Sequence, residues 1–268
     1  MRQTIQEAPS VVIKLGTSTL TKAHHPNMEL INALCKELKH LCSRGLRPIV
    51  TTSGAIHLGE ASLPRAGRAA VGQLRLMAAF ARCLEPHGYR PAQVLLKSND
   101  LQCRTTRARL SEAIDALSLS NAIVLVNEND VTSAVSGFTS NDELSAALAE
   151  MLGAPRLIIF TDRPGVYHAD PRLHPDARLF DTVAADDARL HAAASATPTA
   201  VGTGGMKSKI NAARMAARGG ATTVITCYTP GKLRRIVDGE RLGTWIVPDA
   251  TKTSPLNPKV KLEEEFGP

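Results

Sequence analysis

The stretch VVIKLGTSTLT, Val11–Thr21, decides how the rest of the chain is read. Its first five residues form an apolar, β-branched run that stops at once in Gly16-Thr17-Ser18. A run that short, closed by a glycine turn, is a buried strand rather than a helix. A strand apolar on both faces belongs to a parallel sheet covered by helices. Lys14 is the penultimate residue of this run, and it admits two readings. Its ammonium could snorkel to solvent from an ordinary strand end. Alternatively it could face a phosphate, with the glycine-turn N–H groups and the hydroxyls as further donors. No G-x-x-x-x-G-K-[ST] occurs anywhere, so a Walker-type phosphate loop is excluded.

The same strand-then-helix grammar recurs outward from this point. Strands are expected at RPIVTT, Ala92–Lys97, Ala122–Asn127, Arg156–Asp162 and Thr222–Cys227. Between them, Ile31, Leu34, Cys35, Leu38, Leu41 and Cys42 recur at helical spacing. Further helices are expected from about Arg68 to Leu84 and around Thr106–Leu119. Strands alternating with helices build βαβ units, hence an α/β fold with a mainly parallel sheet between two helical layers. Ligands of such sheets lie beyond the carboxyl ends of the strands, so polar clusters that directly follow strands are the candidate sites.

Bulk composition agrees. The 268 residues are 43% hydrophobic but only 3% aromatic, so the core is built from Ala, Val, Leu and Ile. The net charge of +7 comes without a basic run interleaved with aromatics, which favours small anions over nucleic acid as partners. None of the five cysteines forms a C-x-x-C pair, and their odd number argues against a disulfide framework. The first ten residues lack a signal-peptide run, and no stretch is long enough to span a membrane. A soluble, cytoplasmic protein is expected, with one domain over residues 1–248 and a flexible, proline-dotted tail over 249–268.

Four more strand ends carry polar clusters. In TTSGAIHLG, Thr51–Gly59, Ser53 and the following backbone could meet a carboxylate or phosphate, or Ser53 could simply cap a helix. His57 in the same turn has no partner at metal-ligand spacing. In VNENDVTSAVSGFTSNDELSAALAEML, Ser140 and Glu143 form a capping box that starts a helix at Asn141. That explains neither Asn141-Asp142 nor the run Asn127-Glu128-Asn129-Asp130, which suits an amino-acid ammonium group. In FTDRPGVYHADPR, Thr161 and Asp162 end a strand ahead of a turn-rich loop fit for a nucleoside. Finally, VGTGGMKSKINAARMAARGG, Val201–Gly220, sets three glycines and two lysines at the start of a helix whose apolar face is Met206, Ile210, Ala213 and Ala217. Phosphate could approach that side-chain-free helix start, although glycine punctuation before a helix is common.

In this order the five segments resemble the glutamate 5-kinases of the amino-acid kinase family. The matching blocks are VVIKLGTSTLT, TSGAIHLG, VNEND, NDELSAALA, TDRPGVYHADPR and GTGGMKSKINAA, spread from about residue 10 to residue 248. The resemblance implies a three-layer α/β/α sandwich, with acceptor on the N-terminal half and nucleotide on the C-terminal half. It implies that Lys14 and Lys209 contact phosphate, that Asp142 holds both lysines, and that Ser53, Asp130 and Asn141 bind L-glutamate. Lys14, Gly16, Thr161, Asp162, Thr203, Gly204, Gly205, Met206, Lys207, Ser208 and Lys209 would line the ATP site, with Lys209 rather than Lys207 acting on phosphate. Mg²⁺ would be carried by ATP, with no metal site of the protein's own. The resemblance further implies a homo-oligomer, dimer or tetramer, coupled in function to a glutamyl-phosphate reductase.

The chain departs from the family pattern at several points. Thr139-Ser140 replaces a usual Gly-Asp, His57 replaces a small residue, and the segment between Gly59 and AVGQLRL is short. No C-terminal PUA domain is expected in the twenty residues after Pro248. Two alternatives stay open: a kinase of the same mechanism acting on another glutamate-like acid, and a nucleotide-binding regulator without catalysis.

Overall fold

The computed structural model describes residues 9–133, 140–196 and 205–249. In chain order its strands are β1 (Ser10–Leu15), β2 (Thr21–Lys22), β3 (His25–Pro26), β4 (Arg47–Thr51), β5 (Arg90–Leu96), β6 (Ala122–Glu128), β7 (Arg156–Thr161), β8 (Thr182–Ala184), β9 (Thr222–Cys227) and β10 (Thr244–Val247). The helices are α1 (Thr17–Leu20), α2 (Met28–Ser43), α3 (Ala55–Leu58), α4 (Arg65–Leu84), α5 (Arg104–Leu119), α6 (Asn141–Met151), α7 (Ala188–Ala196), α8 (Met206–Arg218) and α9 (Lys232–Val237).

Eight strands form one sheet in the order β5-β6-β4-β1-β7-β9-β10-β8, and β2 pairs with β3 in a separate hairpin. Every pairing in the large sheet is parallel except β9 with β10. The strand Val11–Leu15 is therefore central, as its two apolar faces require. Alternate residues of the strands feed two cores. Val12, Ile49, Val124 and Ile159 pack against Ile114 of α5, Leu144 and Leu148 of α6 and Ile210 of α8. Ile13, Val50, Leu125 and Ile158 pack on the other side against Leu34 and Leu38 of α2, Leu76 and Phe80 of α4 and Ile236 of α9. The expected α/β sandwich of three layers is thus observed.

The sheet extends beyond the six expected strands. β8 and β10 are short: β10 is TWIV and β8 is TVA, each too brief to generate a periodic signal. The helix expected from Arg68 begins three residues earlier, at Arg65, directly after Pro64. Residues 134–139, 197–204 and 250–268 lie outside the described residues, and with them the expectation of a flexible tail.

Two glycines fix the packing beside the site. Gly54 has φ +97°, a left-handed conformation that a side chain disfavours, and it starts α3. Gly72 lets α4 press onto α3, since a Cβ there would lie 1.7 Å from the Ala55 carbonyl oxygen.

Candidate active site

Register alone gathers the strand-end clusters on one edge. Lys14 pairs with Thr51 of β4 and Ile159 of β7, and Thr51 pairs with Val126 of β6. Because these strands are parallel, Ser53, Asn127–Asp130 and Thr161-Asp162 all emerge beside the end of β1. The helix α6 then delivers Asn141 and Asp142 to the same edge. Ser140 starts that helix as expected, its Oγ accepting from the Glu143 N–H at 3.4 Å.

At the centre is a buried ion triad. Lys14 Nζ lies 2.7 Å from Asp142 Oδ1, and Lys209 Nζ lies 3.1 Å from Asp142 Oδ2. Asp142 has no exposed surface, while Lys14 and Lys209 keep only 6% and 4%. Ser208 Oγ sits 2.8 Å from both Asp142 Oδ2 and the Gly205 carbonyl oxygen, so its single proton holds one of the two. Burial pushes the Asp142 carboxyl upward, but Lys14 and then Lys209 outweigh it and hold the group below the ordinary carboxylate value. Burial lowers the Lys209 ammonium, Asp142 opposes that shift, and the like charge of Lys14 adds to it; the net direction is down. Two cations on one anion leave a surplus positive charge at the strand ends. An arriving phosphate would neutralise it.

An amide chain lies beside the triad. Asn141 Nδ2 has three acceptors for two hydrogens: Thr52 O at 3.0 Å, Ser53 Oγ at 3.0 Å and Asn127 Oδ1 at 3.1 Å. Asn127 in turn donates to Gln73 Oε1 of α4 at 2.9 Å. Ser53 therefore does not cap α3; Gly54 holds the cap position, and the Ser53 hydroxyl faces Asn141 instead. Asp130 is mostly buried and paired with Arg65 of α4, Nη2 to Oδ1 at 2.9 Å. Burial raises both Asp130 and Glu128, against the opposing charge of Arg65.

On the other flank, Thr161 Oγ1 donates to Asp162 Oδ1 at 3.0 Å, and the Asp162 charge supports the Lys209 ammonium. Gly205 occupies the cap position of α8. Met206 leans on the core, Lys207 points to solvent and Lys209 turns inward, so the two lysines of this helix start are separated by burial. Gly16 leaves room in front of Lys14: a Cβ there would be 4.0 Å from Lys14 Nζ and 3.7 Å from the Phe160 carbonyl oxygen, meeting nothing closer. Thr203 and Gly204 lie outside the described residues. His57 stacks on His24, ring centroids 4.4 Å apart, and accepts through its carbonyl a contact from His24 Nδ1 at 3.2 Å. No group of three or more His, Cys, Asp or Glu suited to a metal occurs among the described residues. No helix among them is long and apolar enough to cross a membrane.

Sequence reasoning missed Arg65 and Gln73. Both stand on α4, whose first turn lay outside the expected helix. Pro64 was the available signal: proline is favoured at the first position of a helix, and here it stands one residue ahead of it, at the cap of α4.

The chain matches the family model described as amino acid kinase family over residues 9–227. It is 38% identical over 264 residues to a glutamate 5-kinase of Laribacter hongkongensis, covering 92% of this chain and 70% of that protein. A glutamate 5-kinase of Chromobacterium violaceum is 36% identical with the same coverage of both chains. Among solved structures, a carbamate kinase from Giardia lamblia bound to AMP-PNP superposes with a TM-score of 0.65 at 15% identity, covering 91% of this chain and 100% of that one. A UMP kinase from Bacillus anthracis gives 0.63 at 15% identity, covering 90% and 97%. At that identity the two structures speak for the fold alone.

Proposed function

The chain belongs to the amino acid kinase family, and from that premise we propose that it transfers the γ-phosphoryl group of ATP to the γ-carboxylate of L-glutamate. The product is L-glutamyl 5-phosphate, and the reaction is the first step of proline biosynthesis. The observation that carries this reading is the buried Lys14–Asp142–Lys209 triad at the carboxyl edge of the sheet.

The chemistry asks little more. A carboxylate acceptor is already ionised at neutral pH, so no general base is required. The remaining tasks are to align two anions and to neutralise charge on the transferring phosphoryl group. Lys14, between the acceptor-side loop of β4 and the nucleotide-side end of β7, spans the line of transfer. Lys209 approaches from α8. Asp142 is a positioning residue: it fixes both ammonium groups and takes no proton. Ser53, Asn141 and Asp130 hold the amino acid. Thr161, Asp162, Gly16 and the start of α8 from Gly205 through Met206, Lys207 and Ser208 flank the nucleotide.

Mg²⁺ fits this arrangement as a companion of the nucleotide, because it binds phosphate oxygens and water with few protein ligands. The product is a labile mixed anhydride, so a reductase that consumes acyl phosphates is the expected functional partner. A homo-oligomer is expected as well.

The test is direct. Purified protein is incubated with ATP, Mg²⁺ and a panel of amino acids, the acyl phosphate is trapped with hydroxylamine, and ADP is measured in parallel. Glutamate-dependent hydroxamate is the expected result. Hydroxamate formed only with a different acid moves the acceptor assignment. ADP and hydroxamate at background with every acid overturn the reading.

A further inference from the structure

Arg65 is the one cation, among the described residues, that acts on both Glu128 and Asp130. Its Nη2 reaches Asp130 Oδ1 at 2.9 Å, yet its own side chain is 69% exposed while that of Asp130 is 15% exposed. A guanidinium carries five N–H donors in a planar fork, so one bond to Asp130 leaves most of the fork unused. Its place is also unfavourable for the helix itself. Arg65 opens a twenty-residue helix with no acidic residue in its first turn, where the backbone dipole already presents positive charge. Local stability would prefer an acid there.

The charges near Asp130 do not balance either. Two carboxylates share one guanidinium, and burial raises both. The α-end of an amino acid, one ammonium and one carboxylate, adds no net charge but gives each group an opposite partner: the ammonium is a second cation for the two carboxylates, and the carboxylate is a partner for the unused guanidinium donors. The hydrogen-bonded chain Gln73–Asn127–Asn141–Ser53 fixes α4 against the residues assigned above to the acceptor.

We propose that Arg65 is the receptor for the acceptor's α-carboxylate, and that binding exchanges its bond to Asp130 for one to the substrate while the α-ammonium takes over Asp130. Arg65 is then a specificity-determining residue. It selects zwitterionic α-amino acids over simple dicarboxylates or α-amides, and it contacts no reacting atom. The inference rests on the kinase reading given above.

The test compares L-glutamate with its α-carboxamide, which keeps the γ-carboxylate and the ammonium, on the wild type and on Arg65→Gln and Arg65→Lys, with hydroxamate as readout. A charge-assisted pair lost at a partly exposed site corresponds to about a 10-fold to 100-fold rise in KM. The wild type should therefore favour glutamate over the amide by about that factor. Arg65→Gln should raise KM for glutamate similarly, leave kcat within about threefold and lose most of the discrimination. Arg65→Lys should recover part of it. A merely structural Arg65 would impair both substrates equally. Unchanged discrimination in Arg65→Gln, or an unchanged KM for glutamate, overturns the assignment of Arg65 while leaving the kinase reading intact. A wild type inactive on glutamate overturns both.

Discussion

Asp142→Asn isolates what the triad contributes to folding. The substitution keeps shape and volume but leaves two ammonium groups buried beside a neutral amide. Breaking a buried pair by removing one partner costs about 3–5 kcal/mol. A second estimate comes from titration. The least costly escape is for one lysine to release its proton, which restores the same net charge the triad had before. Lowering a lysine from an unfolded value near 10.4 to pH 7 costs at most about 1.36 kcal/mol for each of roughly 3.4 units, or about 4.6 kcal/mol. The two estimates agree. For a chain of 268 residues, at about 2 °C per kcal/mol, they correspond to a melting temperature about 6–10 °C below wild type at pH 7.

The pH dependence gives the sharper test. Asp142 is held below its ordinary value. Its stabilising effect is thus complete above the unfolded carboxyl pKa of about 4 and is lost only as pH falls through the lower folded value. Lys209 is already lowered in the fold, and without the Asp142 charge it falls further. The folded variant then binds fewer protons than its unfolded chain, so its stability rises with pH. By pH 9 the same arithmetic leaves about 2 kcal/mol. Urea unfolding of both proteins at pH 7, 8 and 9 would measure this convergence. A variant as stable as wild type at pH 7, or a deficit that widens towards pH 9, would refute the reasoning.

Three further outcomes are expected. Lys209→Ala should reduce hydroxamate formation on the order of 10³-fold, by analogy with loss of a phosphate-neutralising arginine, whereas Lys207→Ala, at an exposed position, should stay within about threefold of wild type; equal effects in steady-state kinetics would contradict the separation of the two lysines. Gly16→Ala should leave the urea midpoint almost unchanged, since the new methyl meets nothing closer than 3.7 Å, yet lower kcat at least about tenfold by filling the space before Lys14 Nζ. Gly72→Ala should destabilise the fold by about 3 kcal/mol, because its Cβ would overlap the Ala55 carbonyl at 1.7 Å, and calorimetry would register the loss whether or not glutamate is present.

How much of this could be read from the residues depended on the range of the interaction. The six long strands are local: each is a run of apolar residues bounded by turn chemistry, and each was found within two residues of its expected limits. The capping of α6 is local too, a hydroxyl and an amide three positions apart. β8 and β10 fall below that threshold because three or four residues cannot display a period, and their pairing is decided by the strands beside them. The triad lies further out of reach. Lys14 and Lys209 are brought onto one carboxylate by the crossing of β1, α6 and α8, and no spacing in the chain encodes that meeting. It was foreseen only because the motifs resembled a family.

Arg65 marks where both routes fail. Helical periodicity placed the start of α4 three residues late, since Arg65, Ala66 and Gly67 add nothing to its apolar face. The motif comparison was weakest there as well, because the segment before AVGQLRL is shorter than the family pattern. A charged residue at a helix start, unfavourable for the helix that bears it, is informative only once its partner is known. The fold supplies that partner by setting the start of α4 beside the end of β6, where Asp130 and Glu128 together carry more negative charge than one guanidinium can balance.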